Sequence, residues 1–114
     1  MKYLLILAVL ISCSKPKTDN ATLLENKKWY LHKEELGGQT FKYSRQYWFE
    51  AKNGSFTDYD KYPGTYQIKK DTFRIYFFNY GYEVYYIDQV DRNNLILKQK
   101  DTKGVTFRKL YFEQ

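Results

Sequence analysis

The sequence predicts an all-β domain: an eight-stranded antiparallel meander closed into a barrel. Three observations predict it. Thirteen Tyr, eight Phe and two Trp bring the aromatic content to 20%, and such side chains favour the pleated, half-buried surface of a strand. Short segments of alternating polarity recur roughly every ten residues beyond residue 27, separated by hairpin-length turn signals. No stretch between them has the length of a crossover helix, so neighbouring strands must pair antiparallel. Closing eight strands removes the exposed edges. A two-sheet sandwich is the alternative arrangement. With 114 residues the chain has room for one small domain.

The elements follow in order. Thr22-Leu23-Leu24-Glu25 matches the Ser/Thr-x-x-Glu capping box and predicts one helical turn ending at Asn26. In the first strand Trp29, Leu31 and Lys33 alternate with Tyr30, His32 and Glu34, and Gly37-Gly38 marks the turn after it. Phe41, Tyr43, Arg45, Tyr47 and Phe49 share one face of a long second strand. Asn53-Gly54 is a strong hairpin signal. The third strand covers 55–59, and Pro63-Gly64 separates it from a fourth at 65–69. After Lys70-Asp71, Phe73, Ile75 and Phe77 alternate with Arg74, Tyr76 and Phe78 in a fifth. Tyr80-Gly81 leads into a sixth at 82–90, and the turn formers of 91–94 lead into a seventh opened by Leu95, Ile96 and Leu97. Lys103-Gly104 precedes an eighth at 105–113.

The N-terminal segment reads as an address. Lys2 supplies a positive charge, and residues 3–11 form an uncharged apolar run about half as long as a membrane-spanning helix. Leu10-Ile11-Ser12-Cys13 follows, with the chain's one cysteine. This resembles the lipobox of bacterial lipoproteins, in which the cysteine is acylated and the chain is cut before it. The resemblance implies a signal peptide at 1–12, a lipidated Cys13 with a polar tether at 13–21, and a barrel domain at 22–114. The partner it implies is a membrane, reached through the lipid anchor. No Asp follows Cys13, which in enterobacterial lipoproteins points to the outer membrane of a Gram-negative cell envelope. The tether carries Lys15 and Lys17, each able to favour an anionic surface by about 1 kcal/mol.

The layout of the domain adds a second resemblance. Lys27-Lys28-Trp29 opens the first strand after a short helical turn, and Phe107-Arg108-Lys109-Leu110-Tyr111 lies in the last. This is similar to the lipocalin pattern, where a Trp near the start of the first strand closes the barrel bottom and a basic residue of the last strand packs across it. Trp29 and Arg108 match those positions, a cation–π pair in which Lys109 is the substitute. The family's Gly two residues before the Trp is Lys27 here, and the domain is shorter than a typical lipocalin. It looks closer to the small lipocalin-like domains of bacterial lipoproteins.

Catalytic material is sparse. His32 is the one histidine, so a His-based metal cluster or a Ser-His-Asp triad is not expected. Asp58 with Asp60, and Asp88 with Asp91, are read as ordinary acidic residues at strand ends, and Gly37-Gly38 lacks the rest of a phosphate loop. No enzymatic activity, metal or cofactor is expected. The net charge is +6, but an exported protein does not meet nucleic acid. A membrane-spanning barrel is rejected because charges such as Lys42, Arg45, Arg108 and Lys109 occur on both faces of the second and eighth strands. Eight of the fourteen residues 73–86 are aromatic, too many for one face to bury. The expected function is binding of a small apolar ligand inside the barrel, with Tyr47, Phe49, Tyr66, Phe77, Tyr86 and Leu97 as the inward residues. The alternative is a filled barrel that docks or inhibits an envelope protein.

Overall fold

Nine strand segments occupy eight positions of a closed antiparallel barrel in the computed structural model, which describes residues 19–78 and 81–114. The order is α1 (Asn20–Leu24), β1 (Lys28–Leu36), β2 (Gln39–Lys42), β3 (Trp48–Lys52), β4 (Ser55–Asp58), β5 (Gly64–Lys69), β6 (Thr72–Phe77), β7 (Gly81–Val90), β8 (Asn94–Lys100) and β9 (Thr106–Glu113). Each strand pairs with the next, and β1 pairs with β9 to close the cylinder. The sandwich alternative is thereby set aside. Cys13 and the rest of the N-terminal segment lie outside the described residues.

β2 and β3 share one edge of β1: Lys33 to Leu36 pair with β2, and Lys28 to Tyr30 pair with β3. The long second strand expected from its alternating aromatics is therefore interrupted. The Tyr43 N–H still donates to His32 O at 3.0 Å and the Leu31 N–H to Tyr47 O at 2.8 Å, so residues 44–46 loop out between two paired positions. Arg45 at the tip takes φ +67°. Its guanidinium lies 4.1 Å from the Tyr30 ring centre and 3.2 Å from Glu113, which holds the protrusion against the wall.

A second irregularity resets the first strand. Leu31 faces Phe112 and Lys33 faces Tyr111 on β9, so His32 is an extra residue opposite the partner strand. The inward set becomes Trp29, Leu31 and Glu34 rather than Trp29, Leu31 and Lys33. A one-residue slip exchanges the two faces of a strand, and here the slip carries a carboxylate inside.

The lower end of the barrel is plugged. Leu24 and Trp29 are fully buried there, and the Trp29 indole N–H donates to Leu24 O at 2.8 Å. The helix cap falls three residues earlier than expected. Asp19, not Thr22, is the N-cap, accepting the Thr22 N–H at 2.8 Å, so the capping box is not used. Glu25 instead accepts the Tyr66 hydroxyl. The core above the plug is built from Phe49, Phe56, Phe73, Ile75, Phe77, Leu95, Leu97, Leu110 and Phe112. Asn53 and Gly54 both have positive φ, as the expected hairpin requires. Gly64 is needed for space: a Cβ there would lie 2.5 Å from Tyr76 O on the neighbouring strand.

Candidate functional site

The upper end is not plugged. Strand directions place the Gly37-Gly38 turn, the 59–63 loop, the end of β6, the start of β7 and the 101–105 turn around it. β4 and β5 pair at only two positions, Ser55 with Thr65 and Phe56 with Gly64. Above that pairing the wall parts, and a cavity of about 260 Å³ opens to solvent. Leu31, Phe49, Phe56, Ile75, Leu110 and Phe112 form its apolar floor together with Tyr85, and Tyr47, Tyr59 and Phe77 its upper walls.

Pleating decides which polar groups point into this space. Asp58 lies opposite Phe49, Glu83 opposite Ile75, and Arg108 opposite Leu36 and Gln99. Asp58, Glu83 and Arg108 all line the cavity. Arg108 is tied back. Its Nε donates to Glu34 Oε2 at 2.6 Å and its Nη1 to Gln99 Oε1 at 3.0 Å. The Tyr43 hydroxyl donates to the other Glu34 oxygen at 2.8 Å. Glu34, the buried charged residue of the core, thus has two partners. That hydrogen bond also raises the pKa of the Tyr43 hydroxyl, because ionisation would face the Glu34 carboxylate. Burial pushes the Tyr59 hydroxyl up as well, and the Asp60 and Asp58 carboxylates add to the effect. Asp58 Oδ1 accepts the Asp60 and Tyr62 N–H groups at 3.0 and 3.2 Å, which shapes the mouth loop. Glu83 accepts the Tyr85 hydroxyl.

The residues singled out from sequence divide into groups. Tyr47, Phe49 and Phe77 line the cavity. Leu97 is buried in the core, and Tyr66 packs edge-on against Phe73 at 6.0 Å with its hydroxyl directed to Glu25 near the plug. Tyr86 points outward, a correction. Tyr85 lies opposite the buried Phe73 and so takes the inward phase, leaving the Tyr86 ring outside beneath Lys100, 4.4 Å away. The expected packing of Arg108 on Trp29 does not form. Arg108 pairs in register with Leu36, seven residues along β1 from Trp29, and the cation over the Trp29 ring is Lys27 at 5.3 Å. Lys109, the substitute, faces outward and lies 3.6 Å from Asp88. His32 sits on the outer wall beside Tyr111, opposite in facing to Glu34.

Sequence reasoning missed Asp58 and Glu83 as lining charges and Glu34 as a buried one. Asp58 and Glu83 carried a signal, since each sits two residues from an inward aromatic on its own strand. Glu34 carried none, because the His32 bulge that turns it inward leaves no local mark. Exposed aromatics within 73–86 were expected, and Tyr76, Phe78 and Tyr82 are indeed exposed; the other exposed large hydrophobics were missed. Leu36, Phe41, Tyr59, Tyr62, Phe78, Val105 and Phe107 all belong to the open end, on or beside its connections.

Two solved structures share the fold. A lipocalin-like protein from Bacteroides uniformis ATCC 8492 superposes with a TM-score of 0.64 at 17% identity, covering 80% of this chain and 97% of its own. An uncharacterized protein from Bacteroides eggerthii DSM 20697 gives 0.61 at 13% identity, covering 77% and 97%. No protein-family model and no curated protein matches the sequence. The likeness establishes a lipocalin-like barrel.

Proposed function

We propose that this chain is a lipid-anchored protein of the cell envelope whose barrel binds one small ligand through its open end. The observation that carries the binding reading is the shape of the interior: plugged below by Trp29 and α1, apolar at the floor, and open above with a few converging polar groups. The volume limits the ligand. An apolar cavity of about 150 Å³ takes benzene, so about 260 Å³ accepts a body of one ring or two, not a diacyl lipid. The lipobox-like Leu10-Ile11-Ser12-Cys13 supports the anchor. The six residue-to-residue steps from Cys13 to Asp19 reach about 20 Å at full stretch and join the barrel at its plugged end. A nine-residue strand is about 30 Å long, so the mouth faces away from the anchoring leaflet.

Native mass spectrometry of the full-length protein, purified from its host and released from lipid nanodiscs, tests this. A small ligand that leaves on denaturation is the expected result. A bare protein mass after gentle purification counts against it. The apolar rim formed by Leu36, Phe41, Phe78, Val105 and Phe107 favours a second reading, in which a protein partner seats on the open end. A bare mass together with a stable protein complex in the same spectrum would put that reading first.

A further inference from the structure

We propose that the cavity selects an organic cation, an ammonium group carried on a compact apolar body. This rests on the ligand-binding reading above and adds the sign of the ligand's charge.

The interior charges are the first ground. Glu34, Asp58, Glu83 and Arg108 all take inward positions at the upper end. Glu34 and Arg108 neutralise each other at 2.6 Å. Asp58 and Glu83 form no ion pair among the described residues. A chain with net charge +6 thus holds, in an aromatic-lined opening at this end, two carboxylates with no ion-pair partner among the described residues. Low-dielectric walls strengthen the field they exert on an occupant.

The rings are the second ground. Tyr47 and Tyr59 meet edge to face with centres 4.8 Å apart, and Tyr43 and Tyr47 do so at 5.2 Å. Perpendicular rings form a corner whose faces carry negative quadrupole potential, which suits an ammonium group. On the outer wall, rings are matched with the protein's own cations: Lys28 over Trp48, Arg45 over Tyr30, Lys33 over Tyr111 and Lys100 over Tyr86. No Lys or Arg lies over Tyr43, Tyr47 or Tyr59 among the described residues.

The competing ligand classes fit less well. An anion would need Arg108, whose Nε and Nη1 are already committed to Glu34 and Gln99, and it would meet Asp58 and Glu83. A metal ion needs converging hard donors, and no group of three His, Cys, Asp or Glu gathers among the described residues.

Isothermal titration calorimetry of the full-length chain in lipid nanodiscs, against empty discs, decides it with three probes of one shape: 2-phenylethylammonium, 2-phenylethanol and 3-phenylpropionate. The ammonium should bind about tenfold tighter than the alcohol, with the propionate weakest. Glu83→Gln and Asp58→Asn should each weaken the ammonium about fivefold and leave the alcohol unchanged. Glu83→Gln decides alone if the loop role of Asp58 makes its variant unstable. An alcohol or propionate that binds as tightly as the ammonium overturns the cation assignment and leaves the ligand cavity standing. An ammonium preference that survives both substitutions overturns the assignment to this cavity. Failure of all three probes to bind overturns the ligand-binding reading and this one with it.

Discussion

Arg108 reaches across the seam between the first and last strands and donates its Nε proton to Glu34 at 2.6 Å. The seam is the place where the barrel closes, so this one contact joins the two ends of the fold as well as neutralising an inward carboxylate. The Glu34 side chain is 8% exposed and the Arg108 side chain 33%.

Removing one partner should therefore cost far more than removing both. Arg108→Met leaves Glu34 buried with only the Tyr43 hydroxyl, and the expected loss is about 2 kcal/mol, below the full cost of an orphaned buried charge because Arg108 is partly solvated. Glu34→Gln with Arg108→Met should recover most of that loss. Urea denaturation of the two single variants and the double variant measures the coupling. Additive losses would show that the pair contributes nothing.

Gly64 tests the narrow β4–β5 pairing. It is buried, and a Cβ would press on Tyr76 O at 2.5 Å, a backbone atom that cannot move without shifting β6. Gly64→Ala should destabilise the barrel by about 2 kcal/mol. Because this pairing lies directly beneath the mouth, hydrogen exchange should rise first in β4 and β5. A thermal midpoint equal to the wild type's would show that the strands part there at no cost.

Much of this architecture was legible because turn chemistry and alternation agree over most of the chain. Asn53-Gly54, Lys70-Asp71 and the 91–94 cluster each sit at a real hairpin, and Phe73, Ile75 and Phe77 do face inward. The failures share one cause. At His32 an extra residue shifts the phase and at 44–46 a short protrusion interrupts the strand, and the side chains themselves announce neither. Tyr86 was misplaced for a related reason: Tyr85 and Tyr86 are chemically equal, and the choice between them is made by register against Phe73. Trp29 was legible as the lower plug, but its cation was not. Lys27 stands two residues before it in the chain, whereas the expected Arg108 belongs to the other end of the barrel.

Alkaline pH should weaken the fold through its paired tyrosines. Burial, with the Glu25 hydrogen bond second, pushes the Tyr66 hydroxyl up to about 12, and the Glu35 hydrogen bond, with burial second, does the same to Tyr111. The unfolded chain ionises its tyrosines near pH 10. The folded state therefore holds protons that the unfolded state releases, and stability falls as pH rises. The contribution is complete below about pH 10 and is lost as the pH rises through about 12. Urea midpoints across that window should decline, and Tyr66→Phe with Tyr111→Phe should flatten the decline. A midpoint independent of pH in the wild type would show that these hydroxyls titrate alike in both states.

The anchor makes the last prediction. The barrel's outer wall carries Lys33, Asp88, Lys98 and Lys109, charges that a bilayer core would not accept. No helix among the described residues is long and apolar enough to cross a membrane. Acyl chains on Cys13 would hold the protein firmly, at about 0.8 kcal/mol for each buried CH₂. Without them, Lys15 and Lys17 add only about 1 kcal/mol each, and salt screens that attraction. Cys13→Ser should therefore move the protein from the membrane fraction to the soluble fraction in a high-salt wash, and abolish metabolic labelling by a fatty acid. If the serine variant stays with the membrane under those conditions, something other than a lipidated Cys13 holds it there, and the proposed orientation of the cavity mouth loses its basis.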